Sequence, residues 1–206
     1  MMLEAFKEAF AKDAALSVVG DGNAPRSLVV GWNNLVDHLG GGSFNQGLYR
    51  VIRASDAGAW NAQVTVAFPD FASRITCFGF DWLGRVFAVD PKRAEEGQPG
   101  VVMFEPGTGE ALEVPCNIAS FHDEELIEYR DAALASDFHQ RWLNSGGGAP
   151  QYGQCVGYKK PLFLGGADEV SNLELSDLDV YWHLMGQLIT KAKGLPPGTP
   201  ISVSLS

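Results

Sequence analysis

The chain of 206 residues carries 25 acidic against 15 basic side chains, a formal charge of −10, with 46% apolar and 11% aromatic residues. That is ample apolar material for a well-packed core, in one large or two small domains. A negative field of this size repels nucleic acid and anionic membranes and attracts basic partners.

The opening stretch MMLEAFKEAFAKD has neither the basic region nor the long apolar run of a signal peptide, and no later run approaches the length of a membrane span. Cys77, Cys116 and Cys155 are far apart, with no C-x-x-C pair and no zinc spacing. They are expected to be reduced, buried thiols in a cytoplasmic protein.

Leu3, Phe6 and Phe10 predict a short amphipathic helix over 3–12, followed by a loop from Gly20 and a first helical turn at Pro25. Leu28, Trp32, Leu35 and Leu39 give a second helix its apolar stripe, stopped by Gly40-Gly41-Gly42. Leu48 to Ile52 reads as a strand and Asp56 to Asn61 as a turn-rich connection. From Ala62 the expected strands are AQVTVAF, RITCFGF, RVFAVD, VVMF and ALEV. Turn signals separate them at Pro69-Asp70, Asp81 to Gly84, Pro91 to Gly100 and Pro106 to Gly109. Short strands joined by short turns predict an antiparallel meander with helices on at least one face.

Ser120 with Asp123 predicts a capped helix over 121–135, with another over 136–143, and Gly146 to Pro150 reads as a flexible connector. Pro161 to Leu164 is a short apolar, extended run ending at Gly165-Gly166, where the backbone needs positive φ. The last helix follows, with Ser176 as its N-cap. Leu178, Tyr181, Trp182, Met185, Leu188 and Ile189 form its apolar face, and Gly194 and Pro196-Pro197 stop it. The fold class is therefore α+β: an antiparallel meander with helices packed on it, N-terminal helices and a C-terminal amphipathic helix. One compact body with a continuous sheet is expected, because the last helix must bury its apolar face.

Carboxylates concentrate between residues 110 and 179, where only Arg130, Arg141, Lys159 and Lys160 compensate, and no Lys or Arg occurs from Pro161 to Thr190. Asp168, Glu169, Glu174, Asp177 and Asp179 lack the spacing of a calcium loop and read as a solvated or partner-facing edge. No phosphate-binding glycine loop is present, and Gly41-Gly42-Ser43-Phe44-Asn45 misses the last glycine of a hydrolase elbow. Asp179 and His183, four apart on one helix, are the one acid/base pair, with no nucleophile beside them. Trp82, in the turn Asp81 to Gly84, is the candidate exposed aromatic anchor. No catalytic residue, cofactor or metal ligand is assigned.

The segment KKPLFLGGADEVSNLELSDLDVYWHLMGQL resembles the C-terminal signature of immunity proteins that accompany DNase effectors of the bacterial type VI secretion system. SLVVGWNNLVDHLGGGSFNQGLYRVI and ITCFGFDWLGRVFAVD resemble the GAD-like domain that precedes it. The resemblance implies a GAD-like part over 1–116 and an immunity-signature part over 117–206. It also implies a non-enzymatic cytoplasmic protein that binds a cognate toxin, a basic nuclease, and binds neither nucleic acid nor membrane. On charge, the expected contact residues are Asp168, Glu169, Glu174, Asp177, Asp179, Glu124, Glu125 and Trp82. The alternatives are a small-molecule-binding or enzymatic domain with a pocket near His183, and a regulatory scaffold of the cell-wall-regulator type.

Overall fold

The computed structural model describes residues 3–14 and 27–194; the expected loop at 20–25 and the proline stop at 196–197 lie outside the described residues. Helix α1 (Glu4–Ala9) and helix α2 (Trp32–Leu39) lead into β1 (Ser43–Phe44), β2 (Tyr49–Val51) and α3 (Ala57–Ala67). Strands β3 (Thr76–Asp81), β4 (Val86–Glu95), β5 (Gln98–Glu105) and β6 (Glu110–Asn117) complete a six-stranded sheet in sequence order, antiparallel throughout. The fold is thus α+β, built on an antiparallel meander.

Helices cover both faces of this sheet. Val86 and Phe104 pair across β4 and β5, as do Phe87 and Met103, so Phe87 and Phe104 point to opposite sides. On the Phe104 side, Phe68, Trp60, Phe80 and Trp182 join in tilted and edge-on ring contacts contributed by α3 and the last helix. On the other side, Phe87 meets Phe78, Phe121 and Tyr49, and Tyr49 meets Phe6. A bulge between Cys77 and Gly79 turns Phe78 toward Phe87 while Phe80 faces the opposite layer.

Several expected elements differ. Leu28, placed on the second helical stripe, is fully exposed, and α2 starts only at Trp32. AQVTVAF, read with the preceding turn as loop and strand, is the body of helix α3. Ala57, Trp60, Val64 and Ala67 are buried at spacings of three and four, and packing on the last helix overrides the β-branched run. The loop expected from Pro91 to Gly100 is a hairpin that turns on Glu96 and Gly97, both at positive φ, in two residues.

The helix expected over 121–135 is broken into α4 (Ile118–Ser120), a π-helical turn (Phe121–Glu125), α5 (Leu126–Glu128) and α6 (Arg130–Leu134). Its cap is Asn117 in a reciprocal box with Ser120. Asp123 instead accepts the Leu3 and Phe6 amides, at 2.8 and 3.3 Å, and so caps α1 from a distant part of the chain. Helix α7 (Ser136–Asn144) follows as expected. The glycine connector after it is tied down: Gly147 N–H donates to the Trp142 carbonyl, Trp142 Nε1 donates to the Gly148 carbonyl, and Pro150 is buried.

Residues 161–164 form a 3-10 turn rather than a strand; the strands flanking this loop are β7 (Gln154–Tyr158) and β8 (Leu173–Asp177). These two form a hairpin separate from the six-stranded sheet, so the expected continuous sheet is replaced by two. Helix α8 (Leu178–Ala192) buries Leu178, Tyr181, Trp182, Met185 and Ile189, with Asp177 rather than Ser176 at its N-cap.

The joint between hairpin and sheet is the turn after β3. Asp81, fully buried, accepts the Leu83 and Arg85 amides at 3.0 and 2.9 Å and the Arg85 Nε at 2.6 Å. Arg85 also donates to the Ala133 carbonyl at 3.1 Å. Burial pushes the Asp81 carboxyl up, and Arg85 pulls it back. With its carbonyls held outward, this turn receives Val156 N–H on Trp82 O at 2.6 Å and Trp182 Nε1 on Gly84 O at 2.7 Å.

Asp81→Ala should cost about 3–5 kcal/mol in urea denaturation, because it strands a buried guanidinium. The double variant Asp81→Ala with Arg85→Met should recover part of that loss. A second expectation concerns acid. His122 is buried, its Nδ1–H donating to the Ile118 carbonyl at 2.7 Å and its Nε2 accepting the Tyr49 hydroxyl at 2.9 Å. Burial lowers its pKa from 6.5 to about 4. The folded state therefore takes up this proton later than the unfolded chain, so its stability contribution is complete above 6.5 and lost as pH falls toward 4. Glu105, raised by burial to about 7, acts oppositely and loses its contribution as pH rises through that value. Comparing wild type with His122→Gln cancels Glu105; between pH 7 and pH 4 the wild type should lose roughly 3 kcal/mol relative to the variant.

Candidate functional site

The β7–β8 hairpin and its long loop gather four of the expected contact residues, and the start of α8 adds a fifth. The loop is stapled by Asn172: its Oδ1 accepts the Lys160 amide at 3.1 Å, and its Nδ2 donates to the Lys160 and Ala167 carbonyls, both at 2.9 Å. Gly165 takes the positive φ expected of it, and a Cβ on Gly166 would lie only 1.9 Å from the Lys160 carbonyl oxygen. The loop is also seated on the sheet, through Leu162 N–H to the Gly107 carbonyl at 2.9 Å and the Tyr158 ring against Gly107.

On this fixed base Asp168 and Glu169 are exposed in the loop, Glu174 and Asp177 on β8, and Asp179 in the first turn of α8. Asp168 accepts the Tyr158 hydroxyl at 2.7 Å, which orients its carboxylate. Gln63 Nε2 donates to the Asp179 carbonyl at 2.9 Å and ties the start of α8 to α3. Leu175 and Val180 are 42% and 52% exposed among these carboxylates. Five exposed carboxylates and two exposed apolar side chains thus lie on this loop, β8 and the first turn of α8.

Glu124 and Glu125 line a different place, a cavity of about 340 Å³ with Glu95, Glu96, Glu128 and the exposed Tyr129. Burial and then Glu128 raise the Glu125 carboxyl. Arg93 reaches Glu95 at 2.8 Å, and Asn117 Nδ2 donates to Glu96 at 3.2 Å. Glu95 and Glu96 fall in a stretch whose sequence reads as a loop. Its two-residue hairpin turn was the signal that brings them beside the segment after β6.

Trp82 is not the exposed anchor expected of it. It is completely buried, its indole N–H donating to the Leu134 carbonyl at 2.9 Å and its ring against Phe138 and His139, so it presents no surface for a partner. The Asp179–His183 pair is not assembled either: the exposed His183 ring is hydrogen-bonded to Gln187 at 2.7 Å. Asp179 lines a cavity of about 360 Å³ with Arg53, Asp56, Trp60 and Tyr152, among whose lining residues His183 does not appear. A larger cavity of about 590 Å³ lies between the loop after β1 and the segment from Ala149 to Gly153, with Asp13 and Arg53 at its wall. Among the described residues no group of three His, Cys, Asp or Glu side chains is placed to hold a metal ion, and no helix is long and apolar enough to cross a membrane.

Residues 120–189 match the family model described as T6SS immunity protein Tdi1, C-terminal. That span runs from the end of α4 through most of α8 and contains the seven carboxylates expected as contact residues, while Glu95 and Glu96 lie outside it. The match supports the type VI secretion immunity family for this part of the chain; the GAD-like resemblance lies outside it. No curated protein sequence matches the chain. The architecture is similar to that in the crystal structure of Atu4351 from Agrobacterium tumefaciens, with a TM-score of 0.61 at 15% identity over 90% of this chain and 89% of that one. At that identity the likeness is one of fold alone.

Proposed function

We propose that this chain is an immunity protein that binds and neutralises a cognate toxin, a type VI secreted DNase, in the cytoplasm of the producing cell and without catalysis of its own. The observation that carries this reading is the family match over 120–189, the segment that holds the stapled acidic loop and α8. On this reading residues 117–206 supply recognition and residues 1–116, the GAD-like part, supply the sheet on which it is mounted.

Charge supports the nuclease as partner. A DNase offers DNA a basic groove, and a surface bearing Asp168, Glu169, Glu174, Asp177 and Asp179 competes for it and is drawn to it from a distance. Glu124 and Glu125, with Glu95, Glu96 and Glu128, make a second acidic patch for the same partner. Exposed ion pairs each contribute only about 0.2–1 kcal/mol, so carboxylates alone account for speed and orientation rather than for tight binding. Leu175 and Val180, exposed inside the acidic surface, are the apolar contacts that slow release. Trp82 acts from within, holding the turn to which β7 is hydrogen-bonded.

The test is co-purification with the product of the neighbouring gene and a DNA-cleavage assay with and without this chain. Loss of cleavage on a stable complex is expected; a neighbour that neither binds nor cleaves DNA rejects the nuclease reading. The combined substitution Glu174→Lys, Asp177→Lys and Asp179→Lys should slow association roughly tenfold at low salt, with the difference collapsing near 1 M salt. Association rates that ignore both salt and these substitutions would remove the acidic surface from the mechanism.

A further inference from the structure

Strand β8 has an open edge, and the register of the hairpin says which of its residues face outward. Lys159 N–H donates to the Asn172 carbonyl at one end, and Leu178 N–H donates to the Gly153 carbonyl at the other. Antiparallel pairs alternate between hydrogen-bonded and non-hydrogen-bonded, so Gly157–Glu174 and Cys155–Ser176 are the bonded pairs between these two points. The intervening residues turn their backbone groups away from the hairpin. On β7 the N–H groups among them are used: Val156 N–H goes to the Trp82 carbonyl and Tyr158 N–H to the Tyr181 hydroxyl, at 2.6 and 3.3 Å. On β8 the corresponding residues are Leu173, Leu175 and Asp177. Leu173 is buried, while Leu175 and Asp177 are exposed, and among the described residues no hydrogen bond satisfies the Leu175 N–H or carbonyl or the Asp177 N–H.

We infer that the Leu175–Asp177 edge of β8 is where the partner adds a strand, so that recognition is a main-chain pairing framed by charge. The inference rests on the immunity reading and narrows it to one contact. The occupant fitted by this edge is an extended segment of the toxin carrying Lys or Arg at alternate positions. Glu174, Asp177 and Asp179 surround the edge with no Lys or Arg on the same stretch, and Leu175 and Val180 offer apolar contact beside it. Lys159 and Lys160 lie at the loop end of the hairpin, past Leu173, so the basic side chains of the incoming strand belong at the α8 end. The same carboxylates explain why such an edge is tolerable in the free protein. A copy of this chain would bring like charges against them, whereas a basic strand would not.

The experiment is amide hydrogen exchange of the full chain, free and with the purified product of the neighbouring gene, together with two substitutions. Leu175→Pro removes the outward N–H without touching a bond to β7; Leu175→Ala shortens the side chain and keeps the N–H. Expected are new protection at the Leu175 and Asp177 amides in the complex, a loss of affinity for Leu175→Ala that reports the apolar contact alone, and a further loss of roughly tenfold or more for Leu175→Pro over Leu175→Ala. If the complex forms while those amides exchange as fast as in the free protein, the strand-addition proposal is overturned and the immunity reading stands. If wild type does not bind the neighbouring product, both fall. Should Leu175→Pro fail to fold, as judged by its melting curve, the exchange measurement on wild type alone decides.

Discussion

The structure depends on one buried carboxylate. Asp81 closes the turn after β3 by accepting two amides and the Arg85 side chain, and every element of the turn is then used from outside. Trp82 reaches into the helices after β6, its carbonyl receives β7, and the Gly84 carbonyl receives Trp182 of α8. A buried carboxylate without partners would be prohibitively costly, but here each donor that satisfies it is local and fixed by the turn itself. The segment Asp81-Trp82-Leu83-Gly84-Arg85 is therefore where the meander and the C-terminal hairpin become one core. Tyr49 with His122, and Asp123 with α1, repeat the pattern on the opposite face, where a polar group from the C-terminal part satisfies one from the N-terminal part.

The meander was legible because its turns are chemically explicit. Asp81 to Gly84 and Pro106 to Gly109 read as turns in the sequence and are turns, and α8 announced itself by apolar residues three and four apart. Where the reading failed, local chemistry pointed one way and packing the other. Val64, Thr65 and Val66 favour a strand, yet the spacing of Trp60, Val64 and Ala67 suits a helix lying against α8, and burial of that face outweighs the few tenths of a kcal/mol per residue at stake in propensity. Asp123 was legible as a capping residue but not as the cap of α1, which lies 120 positions away from it at Leu3. Long-range caps leave no spacing in the sequence to find.

The same distinction governs the site. Charge is a property of composition, so the concentration of carboxylates in the second half could be read directly. Its partition into a hairpin surface and a separate glutamate cavity could not, because that depends on the two-residue turn at Glu96-Gly97, which sets Glu95 and Glu96 beside Glu124 and Glu125. Trp82 was misread for a related reason. An aromatic residue in a turn is commonly exposed, but this turn is itself covered by α6 and α7, whose Leu134 carbonyl takes the indole N–H.

A binding surface made of carboxylates alone would be fast and weak: each exposed ion pair adds little, and salt screens it within about 8 Å at physiological strength. What turns such a surface into a retaining one is a short set of contacts that do not depend on charge and that are held rigid before the partner arrives. The Asn172 staple, the seat on Gly107 and the tie from Gln63 to the Asp179 carbonyl hold the hairpin and the start of α8 in place, so little ordering remains for the complex to offset. An unpaired strand edge on so fixed a base carries donors and an acceptor already aimed outward. On the proposed reading its carboxylates have two consequences from one placement: they hasten the approach of a basic chain and oppose pairing with another copy of the protein.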